Sequence, residues 1–435
     1  MPRGDRKFLY RVVLVAALLR LVFVLWYPQV PAGIGDDRTY EQVALNLVAG
    51  KGFSGGLSSG QWERTGQPAP IDVPGDPEIG FGPVYPAFLA GIYLLIGHLP
   101  VGVRVMQALL SALTIVIMFR LARDAYGVRV ARLTAIAMMA FPAFIVYSGM
   151  LLTETLVVFW LALLVWSVLH AARVASTLAW VLAGVIAGVA VLLRQELILV
   201  FPVLMILAVW KAQVKPGWRY VTLFIVIAMM TIGVWTVRNY VVFKQVILVA
   251  AHGGDTLWLS TTGWSEWHYD DEELKSLTEG LDYLEQNKVF RQEGIRRILK
   301  DPIGYAALCF RRIPMFWITS HTSYLVGLEQ GFGAYYARAE YGRLSIKLLF
   351  LAVNVGAILL ASFGIASVFR QRLPWPGVLL LAPIGVIAIV HFLLFAAPRY
   401  QVPIMPFVLV FAAVGFLNFQ SWWSERRIKL ATALQ

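Results

Sequence analysis

The chain has one cysteine, Cys309, in 435 residues, so no internal disulfide exists to hold its external parts together. Charge is scarce as well. Only 14% of residues are Asp, Glu, Lys or Arg, 59% are hydrophobic and the mean hydropathy is +0.70. An ordinary soluble domain has about 25% charged residues. These figures exclude disorder, a fibrous repeat and a secreted disulfide scaffold, and they describe an integral membrane protein. The six histidines are scattered, and no His/Cys pair has metal-ligand spacing. No Gly-x-x-x-x-Gly-Lys-Ser/Thr phosphate loop is present, so nothing suggests ATP use. Basic and aromatic residues do not interleave on any soluble module, which removes nucleic acid as a partner despite the net charge of +12. There is no internal repeat.

Long apolar runs are abundant. Crossing about 30 Å of hydrocarbon takes about 20 such residues. Ten runs serve: 8–27, 101–119, 130–149, 153–170, 177–193, 196–210, 219–238, 344–369, 377–396 and 402–419. Two more do not. Residues 83–97 are short and carry Pro83 and Pro86, and 303–320 hold Arg311 and Arg312 at their middle. Each such arginine costs about 2.5–3.5 kcal/mol at a bilayer centre. With ten spans, segments 1–11, 119–132, 171–176, 211–219, 370–374 and 420–435 share one side and hold 17 basic residues against three acids. The rest of the chain has 20 basic and 22 acidic residues, so the whole positive excess lies on that side, which is cytoplasmic by the positive-inside rule. Counting 83–97 as a span would move the arginines of 120–132 outside.

The expectation is an all-α polytopic protein of the plasma (inner) membrane of a bacterium, with both termini cytoplasmic. Its N-terminal run is an uncleaved anchor, since no small-x-small cleavage site follows. Residues 1–435 form one membrane domain with two long external loops, 28–100 and 239–343. The first opens with Pro28, Pro31 and Gly33-Ile34-Gly35, then has a helical stretch at 38–48 and a Gly/Ser-rich tract at 50–60. The second carries an acidic cluster over 266–285, a helix at about 282–300, and a surface helix at 303–320 whose arginines are expected to meet lipid headgroups.

Ionisable residues near spans are expensive and usually functional. Asp36 and Asp37 follow the first span, Glu154 opens the fourth, Arg194 and Glu196 occupy the turn between the fifth and sixth, Arg238 and Asn239 end the seventh, and Arg399-Tyr400 lie between the last two. All fall at the external surface. Bland readings exist: an N-cap for either aspartate, an Arg194–Glu196 ion pair, lipid contact for Arg238 and Arg399, and loop packing for His252. Glu154 resists them, because it interrupts an apolar run with no base beside it. Arg20 has no role beyond pairing or snorkelling. A carboxylate can deprotonate a hydroxyl for attack on an anomeric carbon. Guanidinium groups can hold a phosphate and stabilise the charge it gains on leaving. A lipid-phosphate sugar puts that phosphate at headgroup depth. No cofactor is required, and a divalent cation on the carboxylates stays open.

Gly35-Asp36-Asp37-Arg38-Thr39-Tyr40, followed by Gly50-Lys51-Gly52-Phe53, resembles the first-loop pattern of glycosyltransferase family 39 in the GT-C superfamily. That family includes protein O-mannosyltransferases and lipid A aminoarabinose transferases. Gly82-Pro83-Val84-Tyr85-Pro86 resembles its second juxtamembrane segment, Leu152-Thr153-Glu154-Thr155 its second acidic motif, and Trp235-Thr236-Val237-Arg238-Asn239-Tyr240 and Arg399-Tyr400-Gln401-Val402-Pro403 two signatures of bacterial members. The resemblance implies a GT-C helical bundle with about ten spans plus juxtamembrane helices. It also implies an inverting glycosyltransferase that moves a sugar from a polyprenyl-phosphate donor to a protein, lipid or glycan hydroxyl. Asp36 then stands at the position of the family's catalytic Asp and Asp37 at its acidic neighbour. Tyr40, Tyr85, Glu154, Arg194, Arg238, Arg399 and Tyr400 become candidates for donor or acceptor binding, and membrane lipids are the surrounding partners. The chain departs from the family at Gly82, where members often carry Lys or Arg against the donor phosphate. Two other readings remain from the residues alone: a secondary transporter of a lipid or anionic solute, and a polysaccharide ligase or polymerase using lipid-diphosphate donors.

Overall fold

The computed structural model describes residues 2–27, 35–55, 76–211, 217–262, 276–371 and 374–433. Pro28, Pro31, Gly33, Ile34, residues 56–60 of the Gly/Ser-rich tract and the acidic cluster up to residue 275 lie outside the described residues. Among the described residues, one isolated bridge between Ser54 and Pro77 is the only β feature. In chain order the helices are α1 (Arg3–Trp26), α2 (Asp36–Val48), α3 (Val84–Ile96), α4 (Pro100–Tyr126), α5 (Val128–Ala140), α6 (Pro142–Ser148), α7 (Glu154–Val174), α8 (Thr177–Leu193), α9 (Val200–Lys211), α10 (Trp218–Phe243), α11 (Gly253–Thr262), α12 (Tyr283–Lys300), α13 (Pro302–Trp317), α14 (Phe332–Ala337), α15 (Tyr341–Gln371), α16 (Trp375–Leu393) and α17 (Met405–Ala433).

Each of the ten expected spans coincides with a helix or a bent pair. Among the described residues, seven helices are long and apolar enough to cross a membrane: α1, α4, α7, α10, α15, α16, and α17 with the turn before it. The pair α5 and α6 makes an eighth, bent by 50°. Thr177–Leu193 and Gln195–Val209 are apolar but shorter. Helix α3 has 13 residues, a rise of about 20 Å, too short for a crossing.

Chain chemistry explains the breaks. Pro142 has no N–H to give the Met138 carbonyl, so α5 stops at Ala140 and α6 starts anew. Arg20, fully buried in α1, fills the gap: its Nη2 donates to Met138 O at 2.9 Å, its Nη1 to Met139 O at 3.3 Å, and its Nε to Ser111 Oγ at 2.8 Å. A guanidinium at the C-terminal end of a helix also meets its negative dipole. Arg20 is therefore a helix cap inside the membrane, a role with more content than snorkelling. Helices α15 and α17 touch backbone to backbone, where a Cβ on Gly364 would lie 2.1 Å from Phe411 O.

The loops match expectation in part. Helix α12 begins with a capping box, Asp282 and Glu285 each bonding the other's backbone N–H. Helix α13 occupies the expected surface segment, but only Arg311 is exposed. Arg312 is buried, with its Nη2 donating to Ser260 O and its Nη1 to Phe392 O and Leu393 O, each at 3.3 Å. It caps the end of α16, so the expectation of a headgroup contact is corrected for that residue: orphan carbonyls at a buried helix end outcompete lipid.

Candidate active site

Helix α2 starts at Asp36, two residues earlier than its sequence suggests. Gly35 supplies the left-handed turn at φ 81°, and no side chain caps the helix. The Asp36 carboxylate is thereby free of a capping duty. Its Oδ2 accepts a hydrogen bond from Arg399 Nη1 at 2.6 Å, across 363 residues of chain. Both side chains keep partial access, at 18% and 16%. Asp37 is buried.

Arg399 lies in the 3-10 turn Pro398–Ile404 before α17. Its Nη2 donates to the Tyr400 hydroxyl at 3.1 Å. The Tyr400 ring is a platform: the Arg399 and Arg194 guanidinium carbons lie 4.9 and 4.7 Å from its centroid. His391 stacks on the same ring at 4.5 Å and 8°, and Phe316 stacks on His391. Arg194, between α8 and the turn Gln195–Leu199, pairs through Nε with Glu196 at 3.1 Å and stands 3.9 Å from Glu154 through Nη2. Its Nη1 has no hydrogen-bond partner in the protein. Glu154 is 1% exposed, and neither of its carboxylate oxygens has one.

Tyr40 sits one turn along α2 from Asp36, edge-on to Phe81 at 5.0 Å and to Tyr85 at 4.9 Å. Burial first, and the nearby Asp36 charge second, push its phenol well above the usual tyrosine range. Tyr85 OH donates to Gln107 Oε1 at 2.8 Å, and the Gln107 amide donates to Ser148 O and Met150 O at 3.2 and 2.6 Å. This relay locks the first loop to α4 and to the segment that leads into Glu154.

The structure thus gathers Asp36, Tyr40, Glu154, Arg194, Arg399 and Tyr400 at the loop end of the bundle, with Tyr85 behind Tyr40. Arg238 is committed elsewhere. Its Nη1 donates to Glu78 O at 3.0 Å and Asn239 Oδ1 at 3.1 Å, and its Nη2 to Phe53 O at 2.8 Å. Trp235 lies 4.8 Å from the same guanidinium. Arg238 clamps the first loop to α10.

Gly82 has a steric reason. A Cβ there would meet Leu192 O at 2.1 Å, so the end of α8 takes the space a basic side chain would need. Arg194 follows two residues later.

Sequence reasoning passed over Gln107, Tyr147 and His391, and read His252 as loop packing. A polar residue inside an apolar run was the available signal for Gln107 and His391. His252 Nδ1 lies 2.5 Å from Asp255 Oδ2, and its ring faces Phe81 at 5.9 Å. Burial alone would lower its pKa, but the Asp255 carboxylate outweighs burial and holds it above the ordinary histidine value, with Asp36 adding to the effect. Among the described residues, no three His, Cys, Asp or Glu side chains group to hold a metal ion.

Residues 76–235 match the family described as dolichyl-phosphate-mannose-protein mannosyltransferase. No curated protein sequence matches the chain. Among solved structures, the chain is similar to the archaeal oligosaccharyltransferase AglB from Archaeoglobus fulgidus in complex with an inhibitory peptide and a dolichol-phosphate. That similarity has a TM-score of 0.53 at 14% identity, over 99% of this chain and 52% of that one. The Archaeoglobus fulgidus oligosaccharyltransferase complex with Zn and sulfate gives 0.50 at 13%, over 97% and 51%. ArnT from Cupriavidus metallidurans bound to undecaprenyl phosphate gives 0.42 at 15%, over 95% and 77%. The chain spans about half the length of the archaeal proteins it matches. It has the helical fold of the GT-C membrane glycosyltransferases, and the resemblance read from its motifs stands.

Proposed function

We propose that the chain is an inverting glycosyltransferase that moves a sugar from a polyprenyl-phosphate donor to an acceptor hydroxyl on the external face of the membrane. The Asp36–Arg399 pair carries this reading. A carboxylate able to act as base and a guanidinium able to hold a phosphate are in contact at 2.6 Å, and a second guanidinium shares the Tyr400 platform. The external face is supported by the 17 basic residues in the segments that the ten-span count puts on the other side of the membrane.

In the contact as it stands, Asp36 is neutralised by Arg399. A donor phosphate competes for the guanidinium, and winning it releases the carboxylate. Asp36 then takes the proton of the acceptor hydroxyl while the acceptor oxygen bonds to the anomeric carbon from the face opposite the phosphate. The bond between that carbon and the phosphate oxygen breaks, and its electron pair leaves with the polyprenyl phosphate. Arg399 stabilises the added charge, with Arg194 beside it. The proton on Asp36 passes to water. Tyr40 orients the carboxylate from the next turn of α2.

The test uses the full chain in nanodiscs with radiolabelled polyprenyl-phosphate sugars, following transfer of label to water or a simple alcohol. Turnover by the wild type and none by Asp36→Asn supports the assignment. Near-normal turnover by the variant ends the role of Asp36, and binding of no donor at all ends the reading.

A further inference from the structure

The mechanism above leaves one group without work. Glu154 is buried to 1% exposure, and both of its oxygens lack a hydrogen-bond partner in the protein. Its nearest cation is Arg194, at 3.9 Å, a distance too long for a hydrogen bond and already shared with Glu196. The Tyr147 hydroxyl is also buried and without a partner, and Tyr147 packs against the start of α7, its carbonyl accepting from Thr155 Oγ1 at 3.0 Å. Arg194 Nη1 is a fourth buried polar atom in the same state. The Tyr324 ring stands edge-on to the Tyr147 ring at 6.1 Å. Buried polar atoms are nearly always hydrogen-bonded, and an isolated buried carboxylate is costly. Four such atoms on three side chains, two of which stand 3.9 Å apart, mark a place that a ligand's polar groups complete.

The chemistry of that ligand follows from the donor and acceptor inventory. A carboxylate offers only acceptors, a guanidinium only donors, and a phenol both. A phosphate would meet the Glu154 charge and is excluded. A metal ion would need further anionic ligands, and the described residues group no three metal-ligating side chains. A neutral polyol fits: adjacent hydroxyls donate to the two Glu154 oxygens, and another oxygen accepts from Arg194 Nη1. The acceptor needs only to reach the part-exposed Asp36, whereas Glu154 is enclosed.

We infer that Glu154, Tyr147 and Arg194 form the subsite that recognises the hydroxyls of the donor sugar, a neutral hexose-class ring attached to the phosphate at Arg399. This rests on the donor reading proposed above. It assigns Glu154 to ground-state selection of the sugar, separate from the base at Asp36 and from the phosphate contact.

Equilibrium binding tests it with two probes, bare undecaprenyl phosphate and a panel of undecaprenyl-phosphate hexoses, on the full chain in nanodiscs. Wild type binds one glycosylated lipid more tightly than the bare phosphate. Glu154→Gln and Tyr147→Phe lower affinity for that lipid about ten- to a hundredfold and hold affinity for the bare phosphate within about twofold. Tyr147→Phe removes a single oxygen, so its result stands if Glu154→Gln folds poorly. Equal losses for both probes, no loss for either, or a loss that millimolar divalent cation reverses would overturn the subsite. A wild type that binds both lipids equally overturns the subsite and leaves the phosphate reading intact. A wild type that binds neither overturns both.

Discussion

Five of the buried or half-buried arginines near or within the spans divide by what their N–H groups touch. Arg20, Arg238 and Arg312 spend theirs chiefly on backbone carbonyls: Met138 and Met139, Glu78 and Phe53, Phe392 and Leu393. Arg194 and Arg399 spend theirs on carboxylates and a tyrosine. Carbonyls at a helix end or loop have nowhere else to go, so the first set is fixed. Carboxylates can trade a guanidinium for another partner when an anion arrives, so the second set is exchangeable. The same side chain serves as a rivet in one place and a ligand in the other, and the partner decides which.

Substitutions can break or sharpen that division. The largest effect is expected at the exchangeable pair. Asp36→Asn should lower transfer about a thousandfold or more, the contribution typical of a general base. It should also tighten binding of bare polyprenyl phosphate, because Arg399 no longer has a competing carboxylate. Unchanged or weaker phosphate binding in that variant would mean that the pair does not exchange. Next, Arg20→Leu should cost about 2–4 kcal/mol of stability by leaving the Met138 and Met139 carbonyls orphaned in the membrane. Reversible unfolding in mixed micelles measures it, and a loss below about 0.5 kcal/mol would remove Arg20 from the fixed set.

Arg399→Gln and Arg238→Gln then make a matched pair. The first should weaken donor binding about ten- to a hundredfold. The second should lower the melting temperature and change donor affinity by less than about threefold. A reversed pattern would overturn the division outright. The smallest effect belongs to His252. Its folded pKa lies above the ordinary histidine value because of Asp255, so the stabilisation it gives is fully present below pH 6.5 and lost as pH rises through the folded value. An NMR titration of His252 should show a raised midpoint that Asp255→Asn brings down.

The helices were legible because length and hydropathy follow from one-dimensional physics. All ten expected spans correspond to helices, although the run 130–149, read as one span, is broken at Pro142. The level at which charges gather was legible for the same reason, since depth follows from position in a span. Pairing was not. Nothing local in the sequence says that Arg399 meets Asp36 while Arg238 turns to Phe53, because both arginines end spans beside aromatic residues. Arg312 looked like a headgroup contact for want of any sign that α16 ends against it. Gly82 looked like a missing ligand, and only the Leu192 carbonyl reveals the space to be filled.

Arg20 also bears on the order of assembly. Besides the Ala16 carbonyl of its own helix, its partners are Ser111, Met138 and Met139, which are made about 90 to 120 residues after it. Until they emerge, α1 carries a cation that lipid does not welcome, so the first helix to be synthesised is among the last to be satisfied. Nascent chains cut after α4 should hold α1 in the bilayer less firmly than chains cut after α6, when the broken helix can finally close around the charge.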